Sequence, residues 1–573
     1  MRPRCVGLLS VLVVLGLLVA ACGPTPAPQV VEVEKEVTRV VEQTIVETVI
    51  VEGTPQVVEK VITTTPEPTA GPGAGGTLVQ VLNGEPDSLD PHKTVRQDAW
   101  SVMKLVHSSL VARDPEGNYV PYLAESWEMS EDGLTWTFHL KDGVTFHDGT
   151  PLTAHDVAWT YMRAKDPANP GAAGASLAAV ESVEATDDST VVMHLPQPFF
   201  PLLNSLSDPG YFGILSQAAV EAVGDDYGRQ PVGTGPYKFK EWATGEKVVL
   251  ERNPDFDWGL GWAHQGPWYP DEIEFRIIPE TTTQVVSMEA GEVDIAPVSA
   301  ADEETIRQTG LFTLYDILLP GTGPFLQFNN SVAPLDDVRV RQALSMAIDR
   351  DVLVRVAMNG KAVAQYGPIS AAVAGYWPGV EYVGYHYNLE RARELMAEAG
   401  YTLNASGMLE KDGEPLHFTL KTIAGEETWL KIAEIIQEQL RALGVEVELV
   451  QQEAGALVGD EISGNYELGM MQVGWLDADI LYQLFHSGMI GALNMTQVND
   501  PELDEMLTKT RTTLDPEARQ QWVDDVQRYI TEQAFMAPLL STLTFTAVSN
   551  RVEGEVYSTV TYDMYLNDAY LVD

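Results

Sequence analysis

The stretch VGWLDADILYQLF, residues 473–485, sets Trp475 beside two carboxylates, Asp477 and Asp479. Three readings fit these residue types: the acid pair of a hydrolase, a charged clamp for a ligand, or a strand running into a helix cap. Residues two apart share one face of a strand but lie on roughly opposite sides of a helix. The acids therefore converge on one site only if the strand of residues 467–473 continues through them. A glycosidase needs two carboxylates roughly 5–10 Å apart, and a strand would place these two about 7 Å apart at their α-carbons. A chain with 83 acidic residues offers many such pairs, so the spacing alone carries little. There is no HExxH, GxSxG or P-loop, and the ten histidines do not cluster at metal-ligand spacings. No catalytic residue, metal site or cofactor is read from the sequence.

The elements that must position these residues belong to a chain of 573 residues, long enough for two or three domains. Its formal charge of −48 argues against nucleic acid as a partner, because phosphates would be repelled along the whole surface. The N-terminus has two arginines in MRPRC and then VGLLSVLVVLGLLVA, fifteen residues without a charge. This is the pattern of an export signal and is short for a membrane span. It ends in VAAC, residues 19–22, which resembles a bacterial lipobox. That resemblance implies a leader over residues 1–21, a lipid on Cys22, and anchoring to the outer face of the cytoplasmic membrane. Cleavage there removes Cys5, Arg2 and Arg4, leaving 33 basic against 83 acidic side chains, a mature charge of −50. No second thiol would remain, so neither a disulfide framework nor a cysteine-ligated metal is available.

Residues 22–75 read as the lipidated cysteine followed by an acidic stalk rich in valine, glutamate and threonine, closing in a Pro/Gly linker. The Val30, Val33, Val37, Val40 spacing fits two heptads, but Thr44 and Glu47 break the seam. An extended, self-repelling tether is expected, reaching roughly 180 Å at most or about 40 Å as a coil. GPGAGG at residues 71–76 matches GxGxxG by accident, since prolines precede it and the strand TLVQVL follows.

Beyond Gly76, short strands and amphipathic helices alternate, which indicates α/β layers. LTWTFHL (134–140), IEFRIIP (273–279), VDIAPV (293–298), VEVELV (445–450) and YELGMMQV (466–473) read as strands. TAHDVAWTYMRA (153–164) is a helix opened by a Thr153–Asp156 capping box. TTTQVVSMEAG (281–291), DDVRVRQALSMAI (336–348), LERARELMAEAG (389–400), WLKIAEIIQEQLRALG (429–444) and PEARQQWVDDVQRYI (516–530) are further helices, the last capped by Asp515.

Several runs together resemble the extracytoplasmic solute-binding proteins of peptide/nickel-class ABC importers, solute-binding family 5. They are GEPDSLDPHKT (84–94), YLAESWEMSEDGLTWTFHLKDGVTFHDGTPLTAHDVAWTYMRA (122–164), PVGTGPYKF (231–239), GEVDIAP (291–297), LQFNNSVAPLDDVRVRQALSMAIDRDVLV (326–354), YNLERARELMAEAGY (387–401) and VGWLDADILYQLF. They cover essentially all of residues 76–573 in the family's order. The resemblance implies a type II, two-lobed α/β periplasmic-binding-protein-like fold with a ligand cleft between the lobes. Lobe one would comprise residues 76–320, with an extra subdomain over 111–230, and the C-terminal return 538–573. Lobe two would be 321–537. The crossings fall near 318–328 and 533–541, where Gly321, Gly323 and Pro324 suit a hinge.

In peptide-binding members an extended ligand lies between the lobes and an aspartate after a GW pair grips its α-ammonium. Carried onto this chain, that run is Gly474, Trp475, Leu476, Asp477, Ala478, Asp479. The family run is often GADYPDP, and here the proline is missing and the run is one residue short, so both aspartates stay open for the anchor. Asp477 is the preferred ligand contact, while Asp479 equally suits the N-cap of ILYQLFHS. Trp475 offers the pocket a flat wall or packs in the core. Asn329 and Asn330 end a strand, where either binds ligand or caps a turn. His92 is read as a non-binding residue, and DFDWGLGWAHQGPWYP (255–270) as a self-packed loop rather than a sugar platform. The implied function is capture of a peptide-like solute, by a monomer, for delivery to the permease subunits of an ABC importer. Oligosaccharides or a nickel complex are the alternative cargo. A cell-surface glycosidase or a structural surface protein is the remaining reading.

Overall fold

The computed structural model describes residues 42–51, 54–63, 75–169, 171–561 and 563–572. The leader and Cys22 lie outside these residues. Within the expected stalk, Glu42–Val51 and Thr54–Thr63 form an antiparallel hairpin in unbroken register from Glu42↔Thr63 to Val51↔Thr54. This differs from an extended tether. Two β-branched runs separated by Glu52-Gly53 carry a hairpin signal that outweighs the broken heptad spacing. The hairpin and the body, Ala70–Asp573, are separate compact units.

The body is built on two sheets. The first runs in space Tyr237–Ala243, Lys247–Arg252, Glu272–Ile277, Thr77–Leu82, Ile295–Val298, Leu540–Ser549, Phe312–Leu318. Thr77–Leu82 is parallel to both its neighbours, and the other pairings are antiparallel. A smaller four-stranded sheet, Ala124–Met129, Thr135–Leu140, Thr190–His194, Ser182–Ala185, stands apart from the first. Thr135–Leu140 buries every second residue, as its period-two pattern requires. Helix Ala154–Ala164 packs against this sheet, and Asp156 accepts from the Thr153 N–H (3.0 Å) and O–H (2.7 Å), the expected box.

The second sheet runs Glu446–Gln452, His417–Ile423, Leu468–Met471, Phe325–Phe328, Met536–Pro538. Helix Glu427–Leu443 joins the two parallel outer strands, buries Ile432, Ile436 and Leu440, and ends at Gly444 with φ 105°. Phe325–Phe328 is buried at all four positions, the mark of a central strand.

The chain crosses between the lobes at 318–325 and 538–540. The glycines in the first crossing are set by close approach as much as by flexibility. A Cβ on Gly321 (φ 126°) would sit 2.0 Å from the Val473 carbonyl oxygen, and one on Gly323 (φ 63°) 2.1 Å from that of Leu540. Thr322 completes the junction, donating its N–H to Val473 O and accepting the Val473 N–H at Oγ1, both at 2.9 Å. Two buried arginines hold the second crossing without any carboxylate. Arg341 donates to the carbonyls of Gln533 (2.8 Å), Ala534 (3.1 Å) and Leu335 (2.7 Å), and Arg350 to those of Pro538 (2.7 Å), Gln365 (3.0 Å) and Tyr385 (2.9 Å). Burial pulls both guanidiniums down to about 10.

Candidate functional site between the lobes

The strand carrying the candidate site ends at Met471, and helix Ile480–Phe485 begins after Asp479. The strand therefore does not continue through the acids, and the two carboxylates part. Residues 472–479 are pinned from one side by Ala374, which donates to Leu476 O and accepts from the Ala478 N–H, both at 2.9 Å. Beneath them a cluster of Phe325, Ile480, Leu484, Phe485, Val523 and Ile530 anchors the segment, with Trp475 half-buried against it and Gly474 exposed.

Each carboxylate meets its own arginine. Asp477 Oδ1 accepts from Arg519 Nη2 at 2.7 Å and from the Asp479 N–H at 2.8 Å, with Arg519 Nη1 3.4 Å from Oδ2. Asp479 takes Arg511 in a two-point fork, 2.6 Å from Nε and 2.8 Å from Nη2. Both aspartates are buried, 6% and 5% exposed. The capping role expected of Asp479 falls instead to Asp477, whose side chain closes the turn, while the Asp479 side chain makes no cap bond.

Lobe one closes over these pairs. Its segment Pro198–Pro201 presents Phe199 and Phe200, and the Phe200 N–H donates to Arg511 O at 2.8 Å. The Arg519 guanidinium lies 4.4 Å from the Phe200 ring centroid, and that of Arg511 lies between Tyr482 (3.4 Å) and Phe199 (5.4 Å). Leu514 of lobe two approaches Gly133 of lobe one so closely that a Cβ there would lie 2.6 Å from its Cδ1. Behind Phe200, helix Leu202–Leu206 brings Asn204 to Arg113, which also lies 5.4 Å from the Tyr119 ring.

The remaining candidates sit apart from this contact. Asn329 is fully buried and its amide is spent within the fold. Nδ2 donates to Gly464 O (3.0 Å) and Tyr466 O (2.8 Å), while Oδ1 accepts from Ser331. Asn330 likewise donates to three backbone carbonyls. His92 is 1% exposed and accepts from Arg163 at Nδ1 (2.7 Å), inside lobe one. In the 255–270 insertion, Trp258 and Trp268 are buried, Trp268 packs edge-on against Tyr237 at 5.8 Å and Trp262 against Tyr565 at 5.1 Å, so these rings pack into the body of the lobe. Arg511, Arg519, Phe199, Phe200 and Arg113 were missed from sequence. The available signal was faint: two arginines flanking the break between consecutive helices, and an apolar FF pair set between prolines in QPFFPLL.

Two α/β lobes joined by chain crossings touch across charged and aromatic walls, the architecture of a two-lobed binding protein. The chain belongs to the bacterial extracellular solute-binding proteins, family 5, whose model matches residues 118–489. It is similar to the oligopeptide-binding protein AppA of Bacillus subtilis, 29% identical over 496 residues, covering 85% of this chain and 90% of AppA. It is also similar to the glutathione-binding protein GsiB of Pectobacterium atrosepticum, 29% identical over 481 residues, covering 82% and 89%. The solved structure of Bacillus subtilis AppA in complex with a nonapeptide superposes with a TM-score of 0.72 at 27% identity, covering 88% of this chain and all of that one. The two-lobed binding-protein fold is thereby established, and family membership implies an exported chain serving an importer.

Proposed function

We propose that this chain is a lipid-anchored, extracytoplasmic receptor that captures a peptide-like solute between its lobes and presents it to an ABC import permease. The observation that carries the reading is the closure of lobe one, through Phe199 and Phe200, onto the wall at 473–485. A ligand that bridges such walls stabilises the closed form, and that form is what a permease distinguishes from the empty receptor. Gly474 and Trp475 offer the ligand an open backbone and a flat face. Asp477 and Asp479 act as ion pairs with Arg519 and Arg511, and a ligand ammonium at Asp477 has to share its carboxylate with Arg519. Asn329 fixes the turn after the central strand, apart from the wall. The protein performs no chemistry on its cargo, in keeping with relatives that are solute-binding proteins.

The test is direct. The mature protein is denatured and extracted, and any released molecule is identified by mass spectrometry. Peptides in the extract support the reading, whereas a saccharide or a nickel complex replaces it with another cargo on the same scaffold. The anchor is tested separately: Cys22→Ser should release the protein from membranes, since each buried acyl methylene contributes roughly 0.8 kcal/mol. A mature N-terminus at any residue other than 22 would defeat it.

A further inference from the structure

The contact between the lobes holds an unbalanced charge. Two carboxylates, Asp477 and Asp479, are matched by Arg519 and Arg511. A third guanidinium, Arg113, ends strand Val111–Arg113 of lobe one and meets Asn204 on the helix that follows Phe200. Its side chain bonds Asn204 Oδ1 and the Tyr119 hydroxyl (3.5 Å), both neutral, and its buried Nε has no hydrogen-bond partner. The neighbouring acid, Asp114, is turned away and accepts from the Asn118 N–H (2.8 Å) and Nδ2 (2.9 Å). Burial raises the Tyr119 hydroxyl, and the charges of Arg113, Asp477 and Arg519 all reach it, which brings the lobe-one guanidinium and the wall into one electrostatic neighbourhood. In a chain of net charge −48, a half-buried cation without a carboxylate beside the cleft is out of keeping with the surface around it.

A guanidinium in a poorly solvated wall is matched best by a planar anion, which its forked donors engage at two points. The opposite terminus of a peptide finds no such vacancy here, because both carboxylates of the wall are already engaged by arginine. We propose that this end of the cleft receives a carboxylate of the ligand, with Arg113 as the receiving group, and that binding does not depend on a free ligand amine. This deepens the capture reading and rests on it.

The experiment uses the mature protein and a short-peptide library in three forms: free, N-acetylated and C-amidated. Retained peptides are quantified by mass spectrometry, and the affinities of retained sequences by calorimetry. Amidation should weaken binding by about tenfold or more, while acetylation changes it by less than about threefold. Arg113→Gln should bind free and amidated forms alike, and Arg113→Lys should restore part of the preference. Thermal unfolding of both variants identifies any loss due to misfolding, and a folded Lys variant keeps the test intact if the Gln variant fails. A preference erased by acetylation but not by amidation overturns the inference and returns the amine anchor to Asp477. An amidation penalty that survives in folded Arg113→Gln also overturns it. Failure of the wild type to retain any of the three forms defeats peptide capture itself, a result distinct from either of the others.

Discussion

Lobe one buries imidazoles, whereas lobe two buries guanidiniums and an unpaired carboxyl group. In lobe one, His92 and His107 are 1% and 0% exposed, and burial pulls them down to about 3 and about 4. Asp90 raises both and Arg163 lowers His92, but desolvation dominates. In lobe two, Glu461 is fully buried beside Gly469, neither carboxyl oxygen has a hydrogen-bond partner among the described residues, and burial pushes it up to about 8. Lys421 lowers it only partly, being engaged by Asp460 at 2.7 Å. His92 and His107 on one side and Glu461 on the other thus carry opposite pH dependences.

The contrast breaks most visibly in acid. Between about pH 4 and 6.5 the unfolded chain protonates imidazoles that the folded lobe one keeps neutral, so stability is full above that window and is lost as pH falls through it. Each imidazole contributes about 1.4 kcal/mol per pH unit, before any compensating relaxation. Urea unfolding followed at lobe-one probes should show a midpoint that drops steeply from pH 6.5 to 4. A flat profile would mean that the histidines are not buried as neutral groups.

A second large effect belongs to lobe two. Arg350→Ala strips the donors from three buried carbonyls and should cost roughly 4 kcal/mol. The lobe-two midpoint should fall while lobe-one probes shift less. Equal loss in both lobes would show that the crossing couples them into one cooperative unit.

Glu461→Gln sharpens the contrast from the alkaline side. Between pH 4.5 and about 8 the folded lobe holds a proton that the unfolded chain releases. Its stability is therefore greatest at the acid end and falls as pH rises toward 8. The glutamine variant should lose that slope and exceed the wild type at pH 8 by roughly 1–3 kcal/mol. Parallel profiles for the two proteins would remove Glu461 as the source.

The smallest effect tests the contact between the lobes. Phe200→Ala removes one cation–π partner and should lower the closed population of the ligand-free protein by about 1 kcal/mol, some fivefold. Distances between spin labels on the two lobes report it. An unchanged distance distribution in the folded variant would show that Phe200 covers Arg519 without holding the lobes shut.

Much of the fold was legible because it is local. The Thr153–Asp156 box starts helix Ala154–Ala164, and Asp515 with Pro516 starts Pro516–Glu532, with Asp515 accepting from the Ala518 N–H at 2.8 Å. Glycines after 398 and 443 closed their helices where expected. The hairpin at 42–63 was missed because its apolar residues fall on both faces, so no periodicity stood out. The strand expected at 466–473 runs only over Leu468–Met471, two residues shorter at each end, and at the C-terminal end the GW pair carries no stop signal of its own.

By itself the sequence determined the export pattern, the acidic surface, the elements and their order, and the family, all of which depend on residue type and near-neighbour spacing. Only the tertiary structure decided what Asp477 and Asp479 do. Their arginines lie 42 and 32 residues away along the chain. The phenylalanines that cover those arginines come from the other lobe. A carboxylate's chemistry depends on what neutralises it, and here the neutralising groups are brought close by packing that spacing along the chain does not encode.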